Sequence, residues 1–142
     1  MTVRSSRAEW RGDLKDGKGE FEVGDGVFTG AYTFASRFEE GDGTNPEELL
    51  AAAHAACYSM ALSNMLAQAG TPVESVRTEA TAHLDPVDDK PTIHTIELRC
   101  RATVPGVEPD AFLEHAENAK AGCPVSRLYA GAEIKLDAQL ES

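Results

Sequence analysis

The stretch that decides the fold lies at residues 44–65, where the chain carries TNPEELLAAAHAACYSMALSNM. Asn45 can cap a helix, Pro46 suits its first position, and Glu48 stands three residues after the cap, as in a capping box. Glu47 and Glu48 also favour the positive end of the helix dipole. The sequence therefore predicts a helix that begins at Pro46 and ends at residue 68 or 69.

This helix is unusual because no Asp, Glu, Lys or Arg occurs between Leu49 and Met65. At about 1.5 Å per residue, the uncharged run is roughly 25 Å long. A membrane span is disfavoured because the run is slightly short for one and has polar residues at positions 54, 59, 63 and 64. A helix that is apolar all round is buried all round. We therefore expect a partner subunit to cover part of it, since a chain this small has few elements to surround it.

The rest of the chain indicates the fold class. Apolar and polar residues alternate, as in half-buried strands, in five runs: 20–23, 32–38, 76–84, 96–104 and 134–140. A turn is predicted over 85–91, and a second helix over 110–121 with Phe112, Leu113 and Ala116 on its apolar side. Long strands flanking two helices predict an α+β fold with a mostly antiparallel sheet, in one domain spanning residues 1–142.

Composition excludes several classes of function. The formal net charge is −11, so nucleic acid and anionic membrane surfaces are not expected partners. Three cysteines are too few, and odd in number, for a secreted disulfide scaffold. The first ten residues lack the apolar segment of a signal peptide. We therefore expect a cytoplasmic protein, in which a disulfide is more often catalytic than structural.

The cysteines occupy three different settings. Cys57 lies in the uncharged helix, where a thiol is more often inert core than reactive. Cys123 follows Gly122, which is predicted to end the second helix, and would begin a further short helix at whose N-terminus a thiolate is favoured. Cys100 shares a strand face with apolar residues and is interpreted as core. A metal site formed by His54, Cys57 and Cys123 is disfavoured, because zinc sites show paired spacings that are missing here.

Two charged residues could tune a thiol at position 57. Arg37 alternates with the aromatic residues of the run 32–38 and is predicted on the non-core face of a strand. A guanidinium near Cys57 would stabilise its thiolate. Glu47 and Cys57 are ten residues apart, about 15 Å along one helix, so Glu47 could act only through a bridging residue such as Arg37, or from another subunit.

Two long motifs carry a family resemblance. Residues 43–63, GTNPEELLAAAHAACYSMALS, and residues 119–126, AKAGCPVS, closely resemble the osmotically inducible protein C (OsmC) family. That family is related to the organic hydroperoxide resistance (Ohr) proteins, and the segment around Cys57 is more similar to the OsmC branch. The likeness extends from residues 10–13 to residues 134–137.

The resemblance implies an OsmC-like fold, an intertwined homodimer and a cysteine-based peroxidase without a cofactor or metal. Cys57 matches the peroxidatic cysteine and Cys123 the resolving cysteine, while Arg37 matches the thiolate-activating arginine and Glu47 its partner. Cys57 would be oxidised to a sulfenic acid and then form a disulfide with Cys123, which an external thiol reduces. The apolar helix favours organic hydroperoxides over hydrogen peroxide, in oxidative or osmotic stress defence.

Two other classes of function fit the same residues. In a non-catalytic redox sensor, the disulfide would switch a binding surface, although the acidic charge argues against a DNA-binding version. In a small-molecule binding protein, the thiols would be incidental to a pocket at the subunit interface. Peroxide turnover separates the enzyme from both alternatives.

Overall fold

The computed structural model describes residues 2–141, and these form two three-stranded sheets and four helices. The α+β class is confirmed. The chain divides into two compact units, Met1–Leu49 and Leu50–Ser142. The boundary falls within a continuous helix, and the single-domain assignment stays a prediction. In chain order the elements are β1 (Ser6–Arg11), β2 (Lys18–Val23), β3 (Phe28–Tyr32), α1 (Phe34–Phe38), α2 (Pro46–Gln68), β4 (Ser75–Val87), β5 (Lys90–Thr103), α3 (Pro109–Gly122), α4 (Pro124–Leu128) and β6 (Glu133–Glu141).

The N-terminal unit is built on an antiparallel meander, β1-β2-β3. An aromatic cluster lies on one face, with the ring centroids of Trp10 and Tyr32 5.5 Å apart and those of Phe21 and Tyr32 6.2 Å apart. Gly19 is paired with both Trp10 and Tyr32, and a Cβ at this position would lie 2.6 Å from the Tyr32 ring. The missing side chain lets the two rings close over the strand.

The strand predicted over 32–38 is wrong. β3 ends at Tyr32, and residues 34–38 form the short helix α1. A capping box starts it, since the Thr33 side chain accepts from the Ser36 backbone and the Ser36 hydroxyl accepts from the Thr33 backbone. Phe34 and Phe38 are four residues apart, a spacing that fits both a strand and a helix, and their rings meet at 5.0 Å. Arg37 therefore lies in the last turn of a helix.

The predicted start of the long helix at Pro46 is confirmed, although the Glu48 side chain accepts from the Thr44 hydroxyl at 2.6 Å instead of closing a capping box on Asn45. α2 begins at Pro46, and the Glu48 backbone N–H donates to the Asn45 side chain at 2.8 Å. α2 ends at Gln68, followed by Gly70 with a φ of 91°. The Thr71 N–H bonds the Leu66 carbonyl at 2.9 Å, which closes the C-terminus as in a Schellman motif.

The C-terminal unit holds the sheet β4-β5-β6 with β5 in the centre. β4 and β5 are antiparallel, whereas β5 and β6 are parallel. The mostly antiparallel prediction holds with this one exception, because α3 and α4 supply the crossover that a parallel pair requires. The buried core joins β5 to α2 and α3 and includes Tyr58, Leu62, Leu66, Ile96, Leu98, Cys100, Ala102, Phe112, Ala116 and Ala119.

Two predicted details need correction in this unit. The turn is much shorter than residues 85–91, since β4 continues to Val87 and pairs with Lys90. Only Asp88 and Asp89 connect them, with φ values of 53° and 62°, as a two-residue type I′ hairpin requires. Leu113 does not belong to the apolar side of α3, because it is exposed while Phe112 and Ala116 are buried.

α2 is buried along one stripe rather than all round. His54, Tyr58, Leu62 and Leu66 recur every four residues and are fully buried. The C-terminal unit leaves another face uncovered, and Met60 on that face is 76% exposed. At 23 residues, α2 is longer than its uncharged run, so its length does not argue against a membrane span. By length and apolar composition alone, α2 could cross a membrane, and the core helix of a soluble protein can have the same length and composition.

Candidate active site

The C-terminal unit brings Cys57 and Cys123 together. Their Sγ atoms are 2.8 Å apart, although 66 positions separate the residues in sequence. Both are free thiols, Cys57 half-buried and Cys123 with no exposed surface. Since a disulfide has a sulfur separation of about 2.0 Å, a two-electron oxidation with loss of both thiol protons would need only a small approach of the two sulfurs to form the bond. The pair is thus arranged for reversible disulfide formation.

The position of Cys123 follows from the way α3 ends. The backbone N–H of Cys123 still donates to the Ala119 carbonyl at 2.9 Å, but the Cys123 ψ of 129° turns the chain out of α3. Pro124 then occupies the first position of α4, where a missing N–H costs nothing. The Cys123 carbonyl accepts from the Arg127 N–H at 3.0 Å, so the backbone of Cys123 is hydrogen-bonded to both α3 and α4. The predicted break at Gly122 and the short helix after it are confirmed.

The electrostatics of the thiol pair favour the protonated state of Cys57. Burial raises the pKa of the Cys57 thiol, and the adjoining Cys123 thiol raises it further. A hydrogen bond from the backbone of Val125, in the first turn of α4, acts in the opposite direction and lowers that pKa. Rapid attack by a Cys57 thiolate therefore requires additional stabilisation of negative charge.

The N-terminal unit holds an ion pair between Arg37 and Glu47. The Nε and Nη2 atoms of Arg37 donate to the same oxygen, Oε1 of Glu47, at 3.0 and 2.8 Å. The Glu47 side chain is only 10% exposed, and its Oε2 has no hydrogen-bond partner among the described residues, whereas the Arg37 side chain is 37% exposed. The guanidinium also lies 5.2 Å from the centroid of the Phe38 ring. Arg37 is thus oriented by a carboxylate and an aromatic ring.

The four predicted site residues therefore form two pairs, each within its own unit. Cys100 is fully buried in the core, which confirms its interpretation as a packing residue. His54 is also fully buried, and its Nε2 lies 2.7 Å from the Ser126 hydroxyl. Sequence reasoning missed Ser126, whose only local signal was its place three residues after Cys123. Within residues 2–141, no group of three His, Cys, Asp or Glu side chains has the arrangement of a metal site.

The fold and the thiol pair define a class, namely an α+β protein with a proximal dithiol formed between a long helix and a helix-connecting turn. The chain belongs to the OsmC-like protein family, whose model matches residues 39–138. That range includes Glu47, Cys57 and Cys123, and Arg37 lies two residues before it. The resemblance identified from the sequence motifs is confirmed.

Curated relatives agree with this assignment along the whole chain. The chain is 48% identical over 144 residues to Peroxiredoxin OsmC from Escherichia coli (strain K12), and the match covers 100% of both proteins. It is 28% identical to the uncharacterized protein YmaD from Bacillus subtilis (strain 168), covering 95% of this chain and 92% of the relative.

Solved structures confirm the fold. An OsmC-like protein of unknown function from Vibrio cholerae matches with a TM-score of 0.76 at 17% identity, covering 98% of this chain and 100% of the other. An organic hydroperoxide resistance protein from Elizabethkingia anophelis matches with a TM-score of 0.75 at 23% identity, covering 99% of each chain. The predicted OsmC-like fold is therefore correct.

Proposed function

We propose that this chain is a cysteine-based peroxidase that reduces organic hydroperoxides, and hydrogen peroxide less efficiently, in oxidative or osmotic stress defence. The observation that carries the proposal is the Cys57–Cys123 pair, with sulfurs 2.8 Å apart. The half-buried Cys57 is the thiol that a peroxide can reach, whereas Cys123 has no exposed surface. Cys57 is accordingly the peroxidatic residue and Cys123 the resolving residue.

The proposed cycle has three balanced steps. The Cys57 thiolate attacks the terminal peroxide oxygen and the O–O bond breaks, so that Cys57 becomes a sulfenic acid. The departing alkoxide takes up from solvent the proton that the Cys57 thiol had released, and leaves as the alcohol. The Cys123 sulfur then attacks the Cys57 sulfur, which releases water and forms the disulfide. Two equivalents of an external thiol, or one of a dithiol, reduce this disulfide and are themselves oxidised. No cofactor or metal takes part in these steps.

Arg37 and Glu47 have a proposed role in the first step. Because burial and Cys123 both raise the pKa of Cys57, a neighbouring cation would increase the thiolate fraction. Arg37 is the proposed cation, supplied by the same subunit or its partner, and Glu47 holds the guanidinium through two hydrogen bonds. An Arg37→Lys variant retains the charge but loses the double contact, so its Cys57 oxidation rate is expected between those of wild type and Arg37→Ala.

The proposed assembly is a homodimer in the cytoplasm, without nucleic acid or membrane partners. The support is the apolar face of α2 that the C-terminal unit leaves uncovered, since exposed apolar surface of this kind marks an interface. Placing a charge there by Met60→Asp is expected to lower the solution mass toward that of a monomer. A monomeric wild-type protein at micromolar concentration would contradict the proposal.

The enzymatic proposal is tested by turnover of cumene hydroperoxide and of hydrogen peroxide with a dithiol reductant. Cys57→Ser is expected to abolish turnover, and Cys123→Ser to allow one oxidation without disulfide formation. Cys100→Ser is the matched control, because it removes a thiol from the core and should retain turnover. Turnover by wild type no faster than that of a free thiol would refute the peroxidase, and would favour a sensor or a binding protein.

A further inference from the structure

Three polar contacts join the N-terminal half of α2 to α4 and the residues immediately before and after it. Cys57 meets Cys123 with sulfurs 2.8 Å apart, the His54 ring meets the Ser126 hydroxyl at 2.7 Å, and the Tyr129 hydroxyl donates to the Leu50 carbonyl at 3.2 Å. Each contact lies about one helical turn from the previous one on both segments, in opposite chain directions. The three contacts thus form a ladder of side-by-side contacts between the two segments, and the thiol pair is at one end of it.

The middle contact of this ladder is fully buried and chemically well defined. His54 has no exposed surface and Ser126 has almost none. Within residues 2–141, Nδ1 of His54 has no hydrogen-bond partner, and burial lowers the pKa of the ring, which favours the neutral imidazole. A proton on Nδ1 would leave a buried N–H donor unpaired, and orphaned buried N–H groups are rarer in folded proteins than under-satisfied acceptors. The favoured tautomer therefore carries its proton on Nε2 and donates it to Ser126.

The hydrogen bond between His54 and Ser126 lies where it can influence the position of Cys123. α4 has only five residues, and a helix of that length is not stable by itself in water. Its position against α2 therefore depends on contacts such as the His54–Ser126 bond and the edge-to-face packing of Tyr129 on His54, with ring centroids 5.3 Å apart. Ser126 follows Cys123 by one turn, so movement of one residue displaces the other.

We propose that His54 and Ser126 form a positioning pair that holds Cys123 against Cys57 and thereby sets the rate of disulfide closure. This inference rests on the proposed function, in which that closure is the second step. Neither residue touches the reacting oxygen, and both act through the position of α4. Loss of their bond lowers the effective concentration of Cys123 at Cys57, while the attack of Cys57 on peroxide keeps its rate.

The test separates oxidation from closure in rapid-mixing experiments with cumene hydroperoxide. His54→Asn and Ser126→Ala remove the bond and are expected to slow disulfide formation at least tenfold, while the rate of Cys57 sulfenic acid formation stays within about twofold. His54→Gln places an amide near the position of Nε2 and is expected to restore closure to within about threefold of wild type. Ser126→Thr keeps the hydroxyl and should do the same.

A matched control removes a different polar contact of α2. The Ser59 hydroxyl lies 2.7 Å from the Thr78 hydroxyl on β4, a bridge of the same length that does not involve α4. The Ser59→Ala variant is expected to form the Cys57–Cys123 disulfide at the wild-type rate. Equal closure rates in wild type, His54→Asn and Ser126→Ala would overturn the proposal, as would equal slowing in Ser59→Ala, which would indicate a general loss of packing.

A second measurement does not depend on peroxide. Equilibration with oxidised glutathione converts the dithiol to the disulfide and releases two reduced glutathione molecules. A tenfold loss of effective concentration raises the reduction potential by about 30 mV in His54→Asn and Ser126→Ala. If wild type does not turn over peroxide but both variants show this rise in potential, the proposed function fails and the positioning of Cys123 by His54 and Ser126 is still supported. Unchanged potentials in both variants would refute the pair, whatever the fate of the peroxidase.

Discussion

Oxidation of the Cys57–Cys123 pair should stabilise the fold by an amount set by the length of the closed loop. The two residues are 66 positions apart. The loop-entropy relation gives about 4 kcal/mol at 25 °C for a loop of this length. The native state needs only a small movement to gain it, because the sulfurs already lie 2.8 Å apart. We therefore expect the oxidised protein to exceed the reduced protein in free energy of unfolding by about 4 kcal/mol.

Urea unfolding of both forms at one protein concentration measures this difference. With an m-value of about 2 kcal/mol per molar urea, the midpoint should rise by about 2 M on oxidation. Cys100→Ser should show the same gap, whereas Cys57→Ser should show none. An oxidised form no more stable than the reduced form would refute the reasoning, because closure would then strain the native state by as much as it restricts the unfolded one.

Three further predictions concern the ion pair, the buried histidine and the core. Arg37→Ala should lower the free energy of unfolding by about 1–2 kcal/mol, because it leaves the Glu47 carboxylate buried without its cation. Adding Glu47→Gln should recover part of this loss, as measured by urea unfolding. Equal losses in the single and double variants would contradict this prediction. Burial holds the pKa of His54 below its ordinary 6.5 in the folded state. As the pH drops below about 6.5, the unfolded chain therefore binds a proton more readily than the folded protein does. The free energy of unfolding should fall by up to about 1.4 kcal/mol per pH unit. His54→Gln should lack this share of the slope, and identical pH profiles would disprove the assignment. Leu62→Ala should cost about 2–5 kcal/mol because it opens a cavity in a fully buried position, whereas Leu113→Ala on the exposed side of α3 should cost less than about 1 kcal/mol, as thermal or urea unfolding would show.

Features decided by neighbouring residues were predictable from the sequence. The start of α2 depends on a cap between Asn45 and Glu48, and its end depends on Gly70, so both boundaries agree with the structure. The core face of β5 follows from strict alternation, which placed Cys100 correctly. These signals act over a few residues and leave little for tertiary packing to change.

Errors arose where one pattern fitted two structures or where packing decided. The aromatic residues at 34 and 38 satisfy both a period of two and a helical turn, and the Thr33–Ser36 capping box selected the helix. Leu113 lies beside Phe112 on α3, but the core accepts only Phe112. The sequence offered no means of judging which of two adjacent apolar residues would be buried.

The candidate site shows the same division. The cysteines were singled out by their local settings and by the family motifs, yet their approach across 66 positions is a product of the fold. The bond between His54 and Ser126 was invisible to sequence reasoning, because 72 positions separate two residues that are each common in helices. Only the packing of α4 on α2 brings them together.

In the proposed cycle, the unequal burial of the two thiols would impose a direction on the reduction of the disulfide. A reducing thiol must approach one sulfur of the disulfide in line, and Cys123 has no exposed surface on which to be attacked. In that cycle the reducing thiol would therefore attack Cys57, and Cys123 would be the leaving thiolate. The same sulfur would thus meet the oxidant in one half of the proposed cycle and the reductant in the other, so peroxide and reductant would use one route of entry in turn.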